Sequence, residues 1–187
     1  MPQPVLRREA HLMATDPSST RFEKLFDAMD TDHDGTLKAG TFQTLVRRLG
    51  RSGGMQKSNL EQSYHEFWTE LMRHHGDGGY SLSKQQFVQA LQALAKDTST
   101  RGLIERMSNT VFDMANTGFE DKLSKDEFVR FFKAAGGSDD AAALAAFTEL
   151  DYDGNGAISR ADFNRGMKTY MFAPASSTNS SIVFGAV

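Results

Sequence analysis

Between Asp151 and Asp162 the chain reads DYDGNGAISRAD, with oxygen-bearing side chains at every second residue, Asp151, Asp153 and Asn155. A hard divalent cation such as calcium takes six to eight oxygens. A twelve-residue loop supplies them from side chains at positions 1, 3 and 5, a backbone carbonyl at 7 and a carboxylate at 12. Asp151, Asp153, Asn155, the carbonyl of Ala157 and Asp162 fill those places. Position 6 has to turn at positive φ, where a residue without Cβ is comfortable, and it is Gly156. Ser159 stands at position 9, a place often reached through water. Asp/Gly/Asn composition also favours plain turns, but a turn rarely satisfies every slot at once. Asp162 is shorter than a glutamate and reaches an ion with one oxygen where glutamate gives two. A smaller, nearer-octahedral shell raises magnesium relative to calcium.

A second loop, Asp30 to Thr41 (DTDHDGTLKAGT), has Asp30, Asp32 and Asp34 at positions 1, 3 and 5, Gly35 at 6 and the carbonyl of Thr36 at 7. Its closing half is different. Thr41 stands where a carboxylate should complete the shell, and Lys38 at position 9 brings a positive charge near the ligands. A weak site is expected there.

Such loops work only between two helices that hold their ends, and the chain repeats that arrangement. An apolar residue at position 8 and Phe at position 13 recur in LKAGTF (Leu37 to Phe42), LSKQQF (Leu82 to Phe87), LSKDEF (Leu123 to Phe128) and ISRADF (Ile158 to Phe163). Four residues before each loop stands a large apolar group, Phe26, Leu71, Phe112 or Phe147, on the inner face of an incoming helix. Four helix–loop–helix copies in register predict two pairs of EF-hands and an all-α globule. The second frame, residues 75–86 (HGDGGYSLSKQQ), keeps Asp77 as its one acid and has lost the metal. The third, residues 116–127 (NTGFEDKLSKDE), has Glu127 at position 12 but Gly118 at 3, Asp121 at 6 and Lys122 at 7, so no strong binding is expected. Starting that loop at Asp113 is the alternative, and it leaves three residues too many before Phe128.

The positioning helices are legible from their period. Asp16-Pro17 opens the first, with Phe22, Leu25, Phe26 and Met29 on one face. Gly50 to Gly54 stops the second. Residues from Lys57 to His74 form a long helix whose face carries Leu60, Tyr64, Phe67, Trp68 and Leu71. A polar break from Lys96 to Thr100 separates the halves, Ser138 is the expected cap of the Ala-rich helix, and Pro174 ends the last one. The organisation expected is an arm over 1–15, a first pair over 16–96, a second over 101–172 and a tail over 173–187 that ends in the apolar Ile182, Val183 and Phe184.

Composition agrees. In 187 residues, 39% are hydrophobic, enough for a sizeable core, and the net charge of −3 comes without a basic run, so neither nucleic acid nor a membrane surface is an expected partner. The absence of cysteine excludes disulfides and thiol chemistry. No apolar run approaches the roughly 20 residues of a membrane span and the N-terminus lacks a signal-peptide core, so a cytoplasmic monomer is expected.

Four EF-hand frames, an aromatic helix before a degenerate second loop and an apolar tail resemble the sarcoplasmic calcium-binding protein superfamily, and within it the bacterial calerythrin-like proteins. The resemblance covers nearly the whole chain. It implies two EF-hand pairs facing each other across a shared apolar core, acting as a calcium buffer or transporter, and the function expected is calcium and magnesium binding as a buffer or calcium-responsive module. Relatives in that superfamily also include luciferin-binding proteins and photoproteins. A hydrophobic small molecule in the central cavity, near Tyr64 and Trp68, is therefore the alternative. No nucleophile–base pair, phosphate loop or paired-carboxylate motif argues for an enzyme.

Supplying the missing carboxylate of the first loop tests its half-shell. Thr41→Glu adds two oxygens and a negative charge, and calorimetric calcium titration should show higher affinity or stoichiometry at that loop. A variant that binds no more calcium than the parent would mark the loop as structural only.

Overall fold

A computed structural model describes residues 17–49, 55–75, 80–118, 120–135 and 139–173. The expected arm, Asp77, Ser138 and the apolar tail residues Ile182 to Phe184 lie outside the described residues. Among the described residues the chain forms eight α-helices and four short strands: α1 (Pro17–Met29), β1 (Thr36–Lys38), α2 (Ala39–Leu49), α3 (Met55–His75), β2 (Ser81–Ser83), α4 (Lys84–Lys96), α5 (Arg101–Ala115), β3 (Lys122–Ser124), α6 (Lys125–Ala134), α7 (Asp140–Leu150), β4 (Ala157–Ser159) and α8 (Arg160–Phe172). This is the expected all-α EF-hand globule. No helix among the described residues is long and apolar enough to cross a membrane.

Each strand occupies positions 7 to 9 of its loop frame. β1 pairs antiparallel with β2, Leu37 opposite Leu82, and β3 pairs with β4, Leu123 opposite Ile158. The position-8 residues are thus cross-strand neighbours, and all four are wholly buried. Strand turns into helix through one device used three times. Ser83, Ser124 and Ser159 cap α4, α6 and α8 and accept from the amide three residues on, while Gln86, Glu127 and Asp162 reach back to the serine amide.

The rings before and after the loops make the core. Phe26, entering the first hand, meets Phe87, leaving the second, edge-on at 5.8 Å. Phe112, entering the third, meets Phe163, leaving the fourth, at 5.7 Å, and Phe147, entering the fourth, meets Phe128, leaving the third, at 5.9 Å. Each contact crosses from one hand to its pair partner, and each such pair adds ~0.5–1.5 kcal/mol beyond the area it buries. These three contacts join the hands of each pair through their rings.

Two details differ from the sequence reading. The Ala-rich helix α7 is capped by Asp139, whose carboxylate accepts from the Ala142 amide at 2.7 Å, because the helix begins at Asp140, one residue later than a Ser138 cap requires. The polar break after α4 is a built elbow: Asp97 caps the 3₁₀ turn Thr98–Thr100, and the buried Thr100 hydroxyl donates to the carbonyls of Leu94 and Asp97 at 2.9 and 2.7 Å. Across this elbow the halves dock. Ser63 of α3 bonds Thr110 of α5 at 3.0 Å.

The first and last helices are also joined. The buried Arg21 of α1 donates to the Ala173 carbonyl at 3.1 Å and lies 4.8 Å over the Phe22 ring, while the Tyr170 hydroxyl donates to the Arg21 carbonyl at 2.9 Å. The guanidinium satisfies carbonyls at the C-terminal end of α8, where the helix dipole favours a cation. Arg21→Met and Tyr170→Phe should each cost ~1–2 kcal/mol. The double variant should cost less than their sum, because both belong to one network. Urea unfolding of the four proteins measures the difference, and strict additivity would separate the two groups.

Candidate metal centre

The fourth loop starts as α7 ends, with the Asp151 amide donating to the Phe147 carbonyl at 2.9 Å. Its carboxylate turns into the loop. Oδ1 accepts from the Asn155 amide at 3.0 Å and Oδ2 from the Gly156 amide at 2.8 Å. Asp153 accepts from the Asn155 amide at 3.2 Å, and Asn155 Oδ1 accepts from the Ala157 amide at 2.9 Å. Gly156 has φ 83° and Gly154 φ 67°; a Cβ would meet nothing within 4 Å at either, so backbone conformation and not crowding favours glycine, most of all at Gly156.

The first loop repeats the bonds at position 1. Asp30 Oδ1 accepts from the Asp34 amide at 3.2 Å and Oδ2 from the Gly35 amide at 3.0 Å. Gly35 has φ 76°, and His33 at position 4, the counterpart of Gly154, is left-handed at φ 54°. The left-handed turn at position 4 escaped the sequence reading, since histidine does not announce it. Carboxylate oxygens of Asp30, Asp32 and Asp34 lie within 4.8 Å of one another. Three like charges that close repel unless a cation sits among or beside them, so the donor set fits a divalent ion.

One cation already belongs to the loop. Lys38 Nζ donates to Asp34 Oδ2 at 2.7 Å, and Thr36 donates to Asp34 Oδ1 from its amide at 2.8 Å and its hydroxyl at 2.7 Å. These bonds, that of Lys38 foremost, hold the Asp34 carboxyl at about 2, and Asp34 in turn raises the Lys38 ammonium. An ion entering this loop has to displace Lys38. The Thr41 hydroxyl, in the closing place, accepts from the Lys38 amide at 3.1 Å.

The third loop holds its position-12 acid internally. Glu127 Oε1 accepts from the Thr117 amide at 2.9 Å and hydroxyl at 2.8 Å, while Oε2 accepts from the Ser124 amide at 2.9 Å and hydroxyl at 2.7 Å. Both ends of the loop are thereby stitched to one carboxylate. Burial pushes the Glu127 carboxyl up, but the four hydrogen bonds outweigh it and hold it at about 2, well below the ordinary 4.5. Asp113, the alternative loop start, lies inside α5, which ends at Ala115, so the frame beginning at Asn116 is the one formed. In the second loop Gln86 accepts from the Ser83 amide at 2.8 Å; residues 76–79 are outside the described ones. His74 Nε2, at the end of α3, lies 3.5 Å from Asp97 Oδ2.

Between the halves lies an apolar hollow of ≈ 30 Å³, with Leu25, Met29, Tyr64, Phe67, Met107 and Phe131 in its wall. Tyr64 faces it, and burial raises its hydroxyl pKa. Trp68 is buried but is not among the residues described as lining it.

An EF-hand family model matches residues 22–37 and 144–168, the stretches that carry the first and fourth loops. Calerythrin of Saccharopolyspora erythraea is 24% identical over 169 residues, 86% of this chain and 95% of that one. The sarcoplasmic calcium-binding protein of Perinereis vancaurica tetradentata is 23% identical over 62% of this chain and 68% of its own length. The chain is similar to calerythrin and to the sarcoplasmic calcium-binding proteins, with EF-hand matches at its first and fourth loops. Among solved structures, apoaequorin in complex with (S)-HM-daCTZ superimposes with a TM-score of 0.73 at 17% identity, over 91% of this chain and 92% of that one, which is a likeness of fold. The chain thus carries two loops with the chelating pattern and two without it.

Glu127 gives a pH test. Because its folded pKa lies below the ordinary value, its stabilisation is present above about pH 4.5 and is lost as pH falls toward 2. Glu127→Gln, whose amide group turns two donors toward other donors, should lose ~1–3 kcal/mol in metal-free buffer at pH 7. The gap from the parent should shrink through that window; a constant gap would assign the loss to packing.

Proposed function

We propose that this calerythrin-like protein is a calcium-binding buffer whose main site is the loop of residues 151–162, with Asp151, Asp153, Asn155, the Ala157 carbonyl and Asp162 as ligands. The loop of residues 30–41, with Asp30, Asp32, Asp34 and the Thr36 carbonyl, is a second, weaker site. The observation that carries the reading is the pre-formed state of the fourth loop. Asp151 is already aimed by the Asn155 and Gly156 amides, and both glycines already have the φ the loop requires. Little conformational entropy remains to be lost when an ion arrives. In the first loop the same half-shell carries the Lys38 ammonium, which supports the weaker ranking.

Magnesium is the second ion proposed. Asp162 Oδ2 accepts from the Ser159 amide at 3.3 Å and hydroxyl at 2.6 Å, so Oδ1 is the oxygen that reaches an ion while the cap stays intact. One oxygen from position 12 suits an octahedral shell better than the larger shell of calcium. Calcium affinity in the range of roughly 10⁻⁷ to 10⁻⁵ M is expected.

A hydrophobic ligand in the central hollow is the second reading, favoured by the apolar wall around Tyr64 and by the ligand named with apoaequorin. The hollow argues for less. At ≈ 30 Å³ it offers room for one or two water molecules, far below a ring system, and a void of that size is ordinary in a packed core. The protein is therefore read as a metal binder with a filled core.

Titration calorimetry decides the ranking of loops. Asp151→Ala should abolish the tightest calcium event and leave a weaker one that Asp30→Ala then removes. An unchanged isotherm for Asp151→Ala would transfer the main site elsewhere.

A further inference from the structure

The third loop poses a problem of charge. In place of the glycine at position 6 it carries Asp121, close in sequence to Glu127, and it has lost the ligand pattern that would neutralise them with an ion. The compensating cation arrives from the neighbouring hand. Arg160, the first residue of α8, sets Nε against Asp121 Oδ1 at 2.9 Å and Oδ2 at 3.2 Å, and Nη2 against Asp121 Oδ1 at 2.6 Å. The same Nη2 donates to Asp113 Oδ1 at 2.6 Å, and Nη1 reaches the Asn109 carbonyl at 3.5 Å. The guanidinium lies 4.4 Å over the Phe112 ring, which is itself wholly buried. Two carboxylates, a carbonyl and an aromatic face around one planar cation are an arrangement that a flexible ammonium does not reproduce.

Its place in the chain gives this contact a reach beyond the third loop. Arg160 follows Ser159, which caps α8, and precedes Asp162, the closing acid proposed for the fourth loop. The first turn of α8 is thus tied to Asn109, Phe112 and Asp113 in the last two turns of α5. In hands that open on binding calcium, the exit helix swings relative to the entering one. Here such a swing would pull the guanidinium off Asp121, Asp113 and Phe112 together.

We infer that Arg160 is the resident cation of the third loop and the clamp that keeps the second EF-hand pair in one conformation whether or not the fourth loop holds metal. This inference rests on the fourth loop being a calcium site. Arg160 is accordingly a positioning residue. It sets what binding does to the protein, namely that calcium is taken up without exposing an apolar groove.

Arg160→Met keeps an unbranched stem over Phe112 and removes the charge. In the parent, calcium should slow amide exchange within residues 151–162 and leave the fluorescence of an apolar dye unchanged. In Arg160→Met, exchange at residues 109–124 of the metal-free protein should be a few-fold faster, the loss of a partly exposed ion-pair network. Calcium should then raise dye fluorescence severalfold. Arg160→Lys should fall between the two, and Asp121→Asn should add little in the Arg160→Met background, since their partnership is already broken. The clamp is overturned if calorimetry shows calcium bound while exchange and dye response match the parent, or if the parent itself exposes dye-binding surface with calcium. A parent that binds no calcium overturns the fourth-loop assignment first, and the clamp with it.

Discussion

A helix that begins directly after a strand leaves its first amides without partners, and that constraint organises all four hands. Here position 12 answers it. Gln86, Glu127 and Asp162 each complete a capping box with a serine at position 9, and the Thr41 hydroxyl accepts from the Lys38 amide in the first loop. The residue that closes a chelating shell is therefore also the residue that starts the exit helix. A loop can lose its metal and still keep a polar residue at position 12, because removing the cap costs about 1 kcal/mol of helix stability. This explains why the second loop, with glutamine there, still delivers Leu82 and Phe87 to the core.

Charge is balanced differently in each loop. Lys38 meets Asp34 within the first, Arg160 meets Asp121 across the border between the third and fourth, and Glu127 takes four hydrogen bonds within the third. Among the described residues, Asp151 and Asp153 bond instead to Asn155 and Gly156. Amide dipoles orient carboxylates without neutralising them. The contrast gives a physical basis for a graded set of loops in one fold.

The architecture was legible because it rests on periodic, local signals. Position-8 aliphatics, position-13 phenylalanines and the apolar group before each loop all follow from the spacing of one repeat, and each described member is buried where the repeat puts it. Asp30 and Asp151 were legible as carboxylates at position 1, though the amides they hold were not. What escaped was long-range or conformational. Nothing in the string links Arg160 to an aspartate 39 residues earlier, and His33 at positive φ reads as an ordinary polar residue. The choice between Ser138 and Asp139 turned on one residue of helix start, and both are good caps. The Asp113 alternative was settled by α5 running on to Ala115, which the spacing before Phe128 had already disfavoured.

The contact between Arg21 and the end of α8 also makes the described body a closed ring. Among the described residues the first helix and the carbonyls at the end of α8 meet at 3.1 Å. A peptide joining the end of α8 to the start of α1 would close that ring, and new termini could then be opened at an exposed site such as Tyr80 in the second loop. In that permuted order the hand holding residues 151–162 would be followed directly by the hand holding residues 30–41. The two loops with the chelating pattern would become consecutive in the chain while every pairing of strands stayed the same.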